Sequence, residues 1–142
     1  MLLKQISVFA ENRRGAINDI TGVLLEAGIN IRALSIADTT DFGVVRLIVD
    51  KRKDALAALR DRGMTVIETD VVALSVDDAP GSLHNALTAL TADNIMVEYS
   101  YGFVTPIGGE ATVILKCDDQ PKAIESLTSR GFKLLTADDV KY

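Results

Sequence analysis

The residues of this chain best suited to chemistry gather in one short loop. Glu11-Asn12-Arg13-Arg14-Gly15-Ala16-Ile17 joins an alternating run, Lys4-Gln5-Ile6-Ser7-Val8-Phe9, to an amphipathic stretch that closes at Gly28. A strand therefore turns sharply into a helix. Backbone N–H groups at a helix start donate to an anion such as a carboxylate, aided by the helix dipole. An Asn amide offers both a donor and an acceptor. Gly15 suits a tight turn or a close approach to the backbone. Taken singly, each group has a plainer role. Asn12 and Asn30 fit turn and strand-entry positions, because Asn tolerates left-handed torsions. Arg13 and Arg14 read as solvated loop charges. His84, with no second His and no cysteine beside it, reads as an exposed helix residue. Cys117 reads as a small core residue, and Tyr99, Tyr101 and Phe103 as packing on an edge strand. No metal-ligand set, cofactor motif or catalytic constellation is apparent.

The elements that position this loop occur twice. Ile17, Ile20, Leu24 and Ala27 give one apolar helix face, and Gly28 stands where a left-handed residue ends a helix. Sixty-six positions on, Asp78-Ala79-Pro80-Gly81 precedes Leu83, Ala86, Leu87 and Leu90, then Asn94-Ile95-Met96-Val97. Strands are expected at Leu2–Ala10, Ile29–Ala37 (with a bulge near Arg32-Ala33) and Val44–Asp50. A hairpin connection through Asp38–Gly43 should join the last two. A helix over Asp54–Arg62 stops at Gly63, and Met64–Val76 is nearly unbroken strand composition. The second copy continues with strands Ile95–Tyr101 and Ala111–Cys117, a turn at Pro106–Gly109 and a helix over Pro121–Arg130. Arg62-Gly63 and Arg130-Gly131 match at an offset of 68, so two residues are expected to be inserted around Cys117–Gln120.

Each half reads as βαββαβ, the ferredoxin-like split arrangement, giving an α+β chain with domains at 1–70 and 71–142. Right-handed crossovers place both helices of a copy on one face of an antiparallel sheet. The strand after the first helix then lies at an edge. An apolar edge such as Ile29–Ile36 calls for a pairing partner, either the other copy or a second chain, and a homodimer is expected. With 142 residues, 48% of them hydrophobic, and a net charge of −5, a nucleic-acid or anionic-membrane surface is disfavoured. No apolar run reaches the roughly 18 residues of a membrane span, and Met1-Leu2-Leu3-Lys4 opens directly into a strand pattern. A cytoplasmic protein without a signal peptide is expected.

Val8-Phe9-Ala10-Glu11-Asn12-Arg13-Arg14-Gly15, the helix, and Ala27-Gly28-Ile29-Asn30-Ile31 together resemble an ACT domain. So do Val76-Asp77-Asp78-Ala79-Pro80-Gly81 and its helix. The resemblance covers nearly the whole chain as two tandem copies, with no catalytic domain attached. It implies a regulatory module that binds a small effector, most often an amino acid, at an interface between adjacent copies. An amino-acid biosynthetic enzyme is then an expected partner. In serine-sensing members, an Asn in the loop and an Asn after the helix contact the effector, positions that fall on Asn12 and Asn30. The implied ligand-binding set is Glu11 through Ile17, Asn30 and Ile31, with Asp78, Gly81 and Met96 in the second copy. Arg14 stands where the family usually has Pro, and Ala10 where the serine sensors carry His, which leaves an apolar amino acid open alongside serine. Two other classes share the topology. An acylphosphatase-like enzyme would use Arg13 or Arg14 to hold phosphate, and a nucleic-acid-binding module would need exposed aromatics on its central strands, where this chain has Leu47-Ile48-Val49.

Overall fold

The computed structural model describes residues 2–38, 42–104 and 109–140, without the side chains of Asp38, Phe103 and Val104. The two expected hairpin connections fall largely on residues 39–41 and 105–108, outside the described residues. The elements run β1 (Leu2–Glu11), α1 (Ala16–Glu26), β2 (Ile31–Asp38), β3 (Phe42–Val49), α2 (Arg52–Asp61), β4 (Thr65–Asp77), α3 (Ser82–Ala92), β5 (Val97–Val104), β6 (Glu110–Cys117), α4 (Gln120–Ser129) and β7 (Lys133–Leu135). The chain is thus α+β and twice βαββαβ, with β4 serving as the last strand of one copy and the first of the next. Its contacts divide it into two compact units, residues 4–69 and residues 70–140 joined by Leu2 and Leu3.

In the first unit β3 pairs antiparallel with both β1 and β2. Ile6 and Val8 of β1, Val45 and Leu47 of β3 and Val66 of β4 form one buried cluster with Ile20, Val23 and Leu24 of α1 and Ala55, Leu56 and Leu59 of α2. Both helices therefore cover one face of the sheet. Burying each of these larger side chains is worth about 1.5–3 kcal/mol. The polar side of β1 is also buried: Gln5 and Ser7 are 0% and 4% exposed, and Gln5 Nε2 donates to Ser7 Oγ at 3.0 Å. In the second unit β4 pairs with β6 and β7, and β6 with β5. Val72, Leu74, Leu90, Leu115 and Leu127 belong to the corresponding cluster. The stripe on α1 is Ala16, Ile20, Val23 and Leu24, with Ala27 exposed. On α3 it is Ala86, Ala89 and Leu90, and Leu83, expected on the apolar face, is 37% exposed. Spacings of three and four residues set each stripe.

The bulge expected near Arg32-Ala33 is present as a register shift between Ile31 and Ala33, and it recurs between Val97 and Tyr99. The two extra residues of the second copy, however, do not lie near Cys117. Ile31 pairs with Val49 and Asp38 with Gly43, while Val97 pairs with Cys117 and Val104 with Ala111. Along β2 and β5 the offset stays at 66, and along β3 and β6 it is already 68. The insertion therefore falls in the connection between β5 and β6, residues 105–109, where the first copy has only 39–41. A loop can be lengthened without disturbing the ladder or the helix packing, and that is why insertions concentrate there.

Torsion, more than space, selects glycine at the start of α1 and α3. Gly15 and Gly81 are their N-caps, with φ of 81° and 86°. A Cβ at Gly15 would approach nothing closer than 4.0 Å and at Gly81 nothing at all within that distance. At the other end of the helices, Gly28 and its repeat partner Asn94 have φ of 68° and 57°. Ile29 and Ile95 then donate back to Leu24 O and Leu90 O, each at 2.9 Å.

An ion pair ties the two helices of each copy together near their ends, Glu26–Arg62 in the first and Asp93–Arg130 in the second. Arg130 is bidentate, reaching Asp93 Oδ2 at 2.6 Å and Oδ1 at 3.2 Å. Its hydrogen bond, then that of Ser126, holds the Asp93 carboxyl at about 2, below the ordinary 3.8. A depressed carboxylate stabilises the fold above its unfolded value and loses that contribution as pH falls towards the folded one. Asp93→Asn is accordingly expected to lower the melting temperature near neutral pH, and the gap from wild type should close as pH falls from about 4 to 2. A constant gap in a pH series of melting curves would show that the charge is not what matters.

Candidate functional site

The loop after β1 is held by its own backbone. Arg13 N donates to Glu11 O at 2.9 Å, Ala16 N to Arg13 O at 3.4 Å and Asp19 N to Gly15 O at 2.8 Å. Arg13 is not merely a solvated charge, as its sequence context suggested. Its side chain is half exposed, yet Nη2 reaches Asp19 Oδ2 at 2.7 Å, Nη1 donates to Arg14 O at 3.2 Å, and Nε stands 3.9 Å from Glu11 Oε2. Asp19 holds the Arg13 guanidinium up in its charged form. One cation thus stands between two carboxylates at the mouth of a cleft.

That cleft, about 410 Å³, is lined by the end of β1, the first turns of α1, Phe42 of β3 and the segment Gly63–Thr65 that leads into β4. Val8, Ala10, Ile20 and Met64 supply an apolar floor, and Glu11, Arg13 and Asp19 a charged rim. Clefts of roughly 300–1,000 Å³ with mostly apolar walls and few polar groups are the usual form of small-ligand sites. Of the residues expected to bind ligand, Glu11, Arg13 and Ala16 come together here. Asn12, Arg14 and Gly15 are exposed beside it, and Ile17 is half-buried against the core.

Asn30 and Ile31 are not part of the cleft. Ile31 packs against the first core, whereas Asn30 is exposed immediately before the edge strand β2. Its backbone is clamped by a residue the sequence reading passed over. Asp50 Oδ1 accepts from Asn30 N at 3.0 Å and from Lys51 N at 2.7 Å, and Asp50 N donates to Asn30 O at 3.2 Å. Lys51 Nζ adds a bond to Gly28 O at 3.1 Å. Asp118 treats Met96 in the same way, Oδ1 accepting at 3.0 Å and N donating at 3.0 Å. Asp50 and Asp118 are repeat partners at the 68 offset, and that recurrence was the signal available in the sequence. In the second copy Asp78, Gly81 and Met96 are exposed, with Asp78 N donating to Gly109 O at 2.8 Å.

His84 is exposed on α3. Cys117 is fully buried, and burial pushes its thiol up to about 11, which removes it as a nucleophile at neutral pH. Among the described residues no group of three or more His, Cys, Asp and Glu is placed to hold a metal ion, and no helix is long and apolar enough to cross a membrane.

The fold and the duplicated loop define a tandem ferredoxin-like protein. The family model of the ACT domain pair matches residues 1–141, and the chain belongs to that family. It superimposes on the crystal structure of a protein from Bacteroides thetaiotaomicron with a TM-score of 0.93 at 38% identity, covering 99% of this chain and 96% of the other. The ligand-free regulatory subunit of aspartate kinase from Thermus thermophilus shares the fold at a TM-score of 0.63 and 17% identity, covering 90% and 92%. The corresponding subunit from Thermus flavus matches at 0.61 and 15% identity, covering 89% and 90%. No curated protein matches the chain.

Proposed function

We propose that this protein is an amino-acid-responsive regulator without catalysis of its own, acting in the cytoplasm as a homodimer, with an amino-acid biosynthetic enzyme as its partner. Its ACT domains are taken as 1–70 and 71–142. The effector's charged head is bound by the loop Glu11–Ile17 and its side chain enters the first cleft. Asn30 and Ile31 of a second copy of the chain complete the site. The observation that carries this reading is the charged rim over an apolar floor: Arg13 can meet a carboxylate, Glu11 and Asp19 an ammonium, and Val8, Ala10 and Met64 an apolar side chain. A phosphate-cleaving site on the same topology is disfavoured by the same geometry. With Asp19 at 2.7 Å and Glu11 at 3.9 Å from Arg13, the rim carries two negative charges to one positive, which disfavours a phosphate dianion but suits a zwitterion whose ammonium meets the carboxylates. Hydrolysis of acetyl phosphate by the purified chain would reverse that conclusion.

A thermal-shift screen against the twenty amino acids tests the proposal. A ligand present at about 100 times its dissociation constant stabilises the folded state by roughly 2.7 kcal/mol. One or more apolar amino acids are expected to raise the melting temperature. Silence across the whole set, from a folded and dimeric sample, would end the effector reading.

A further inference from the structure

We propose that the second copy carries its own ligand cleft and that this cleft takes a hydrophilic amino acid, so that the chain reads two chemically different effectors. The proposal rests on the reading of the protein as an amino-acid-responsive regulator. A cleft of about 330 Å³ lies among β4, the start of α3, the start of β6 and the segment that leads into β7. Its position is that of the first cleft, transposed by the repeat. Ser75 stands for Phe9, Asp77 for Glu11, Ser82 for Ala16, Asn85 for Asp19, Glu110 for Phe42 and Lys133 for Thr65. The strand registers make these equivalences structural, since Asp77 pairs with Glu110 as Glu11 pairs with Phe42. The fold therefore builds the same cavity twice, and the side chains that line it have been exchanged.

At four positions the exchange is towards polar groups: Phe9, Phe42, Ala16 and Thr65 give way to Ser75, Glu110, Ser82 and Lys133, while Val76 and Phe132 keep apolar side chains at the places of Ala10 and Met64 and Asn85 replaces the charge of Asp19. Ser75, only 8% exposed, donates through Oγ to Glu110 Oε2 at 3.1 Å, and Lys133 Nζ lies 3.8 Å from the same oxygen. Asp77 and Glu110 offer acceptors for a ligand ammonium and Lys133 a donor for its carboxylate, leaving Ser82 and Asn85 for polar atoms of its side chain. An apolar side chain here would strip water from these groups without replacing their hydrogen bonds, a loss that decides against it. A polar one restores them. The second cleft uses neither Asp78 nor Met96, the residues that correspond to the Asn pair of the first copy.

The test is calorimetry on the full chain with two probe sets. One set is serine, threonine, asparagine and glutamine, the other valine, leucine, isoleucine and methionine. Wild type is compared with Asp77→Asn and Lys133→Ala, both at exposed positions, and with Arg13→Ala, after circular dichroism confirms each fold. At least one hydrophilic probe is expected to bind together with an apolar one. Its affinity should fall at least tenfold in Asp77→Asn and Lys133→Ala and stay unchanged in Arg13→Ala. Mutual displacement of the two probes, or loss of the hydrophilic one in Arg13→Ala alone, would overturn the proposal. Binding of apolar probes only would overturn it while leaving the effector reading intact. Silence towards both sets would overturn both.

Discussion

Asn30→Ala and Asn12→Ala are each expected to weaken effector binding roughly tenfold to hundredfold. A hydrogen bond to a charged ligand group contributes on the order of 1.5–3 kcal/mol, and about 1.4 kcal/mol corresponds to a factor of ten in affinity. Asn30 is exposed, and its backbone is fixed from both sides by Asp50. Its amide is therefore presented at low entropic cost, which is how a pre-set group gains affinity. Asp50→Ala should act in the same direction by freeing that backbone, and Asp50→Asn, which keeps an Oδ1 acceptor, should recover most of the loss. Arg13→Ala should weaken binding as strongly as the Asn variants, because it removes the cation from the rim of the first cleft. Asp78→Ala and Met96→Ala in the second copy should change the affinity of the apolar effector much less. Calorimetry with the amino acid that the screen identifies, on folded and associated samples, checks each variant. Unchanged affinity in both Asn variants together with a loss in Arg13→Ala would confine the site to the first cleft and remove the neighbouring chain from it.

The fold was legible because its strongest signals are local. The paired Gly15 and Gly81, the stripes at Ile20-Leu24 and Ala86-Leu90, and the stops at Gly63 and Gly131 each follow from backbone torsion or from helical period. The hairpin insertion was misplaced because an offset between matching motifs says only that residues have been added between them. Strand register is a pairing property and is carried by hydrogen bonds between segments distant in sequence. The loop belonged to the candidate site on sequence grounds, whereas the cleft beneath it did not emerge. Met64 and Phe42 reach it only through the fold, from positions 45 and 23 residues beyond Asp19. Asp50 escaped notice for a similar reason. A carboxylate at a strand end looks like a turn residue until its partner, 20 residues earlier, is seen to accept and donate across it. The role of Arg13 was likewise set in part by a neighbour outside the loop, Asp19 of α1.

Ile36→Lys is expected to convert the proposed homodimer to a monomer while leaving each chain folded. β2 ends the strand order of its sheet, and Leu34 and Ile36 are 40% and 51% exposed along it. An edge of this kind is covered in most proteins, because its free N–H and C=O groups invite pairing. Burying an isoleucine at an interface gains about 1.5–3 kcal/mol, and a symmetric contact uses it twice. Replacing it by an ammonium forfeits that gain and adds the cost of desolvating a charge, so the dissociation constant should rise by roughly a hundredfold or more. Ile31→Lys, at the other end of the same strand, should behave differently. Ile31 packs against the first core, so a lysine there should lower the melting temperature of the chain itself. Sedimentation at tens of micromolar, a concentration at which a dimer of about micromolar affinity persists, separates the two effects when paired with melting curves. A wild-type monomer under those conditions would reject the dimer. An intact dimer in a folded Ile36→Lys variant would move its interface away from β2, and Asn30 of a second chain could then no longer reach the loop of the first by edge pairing.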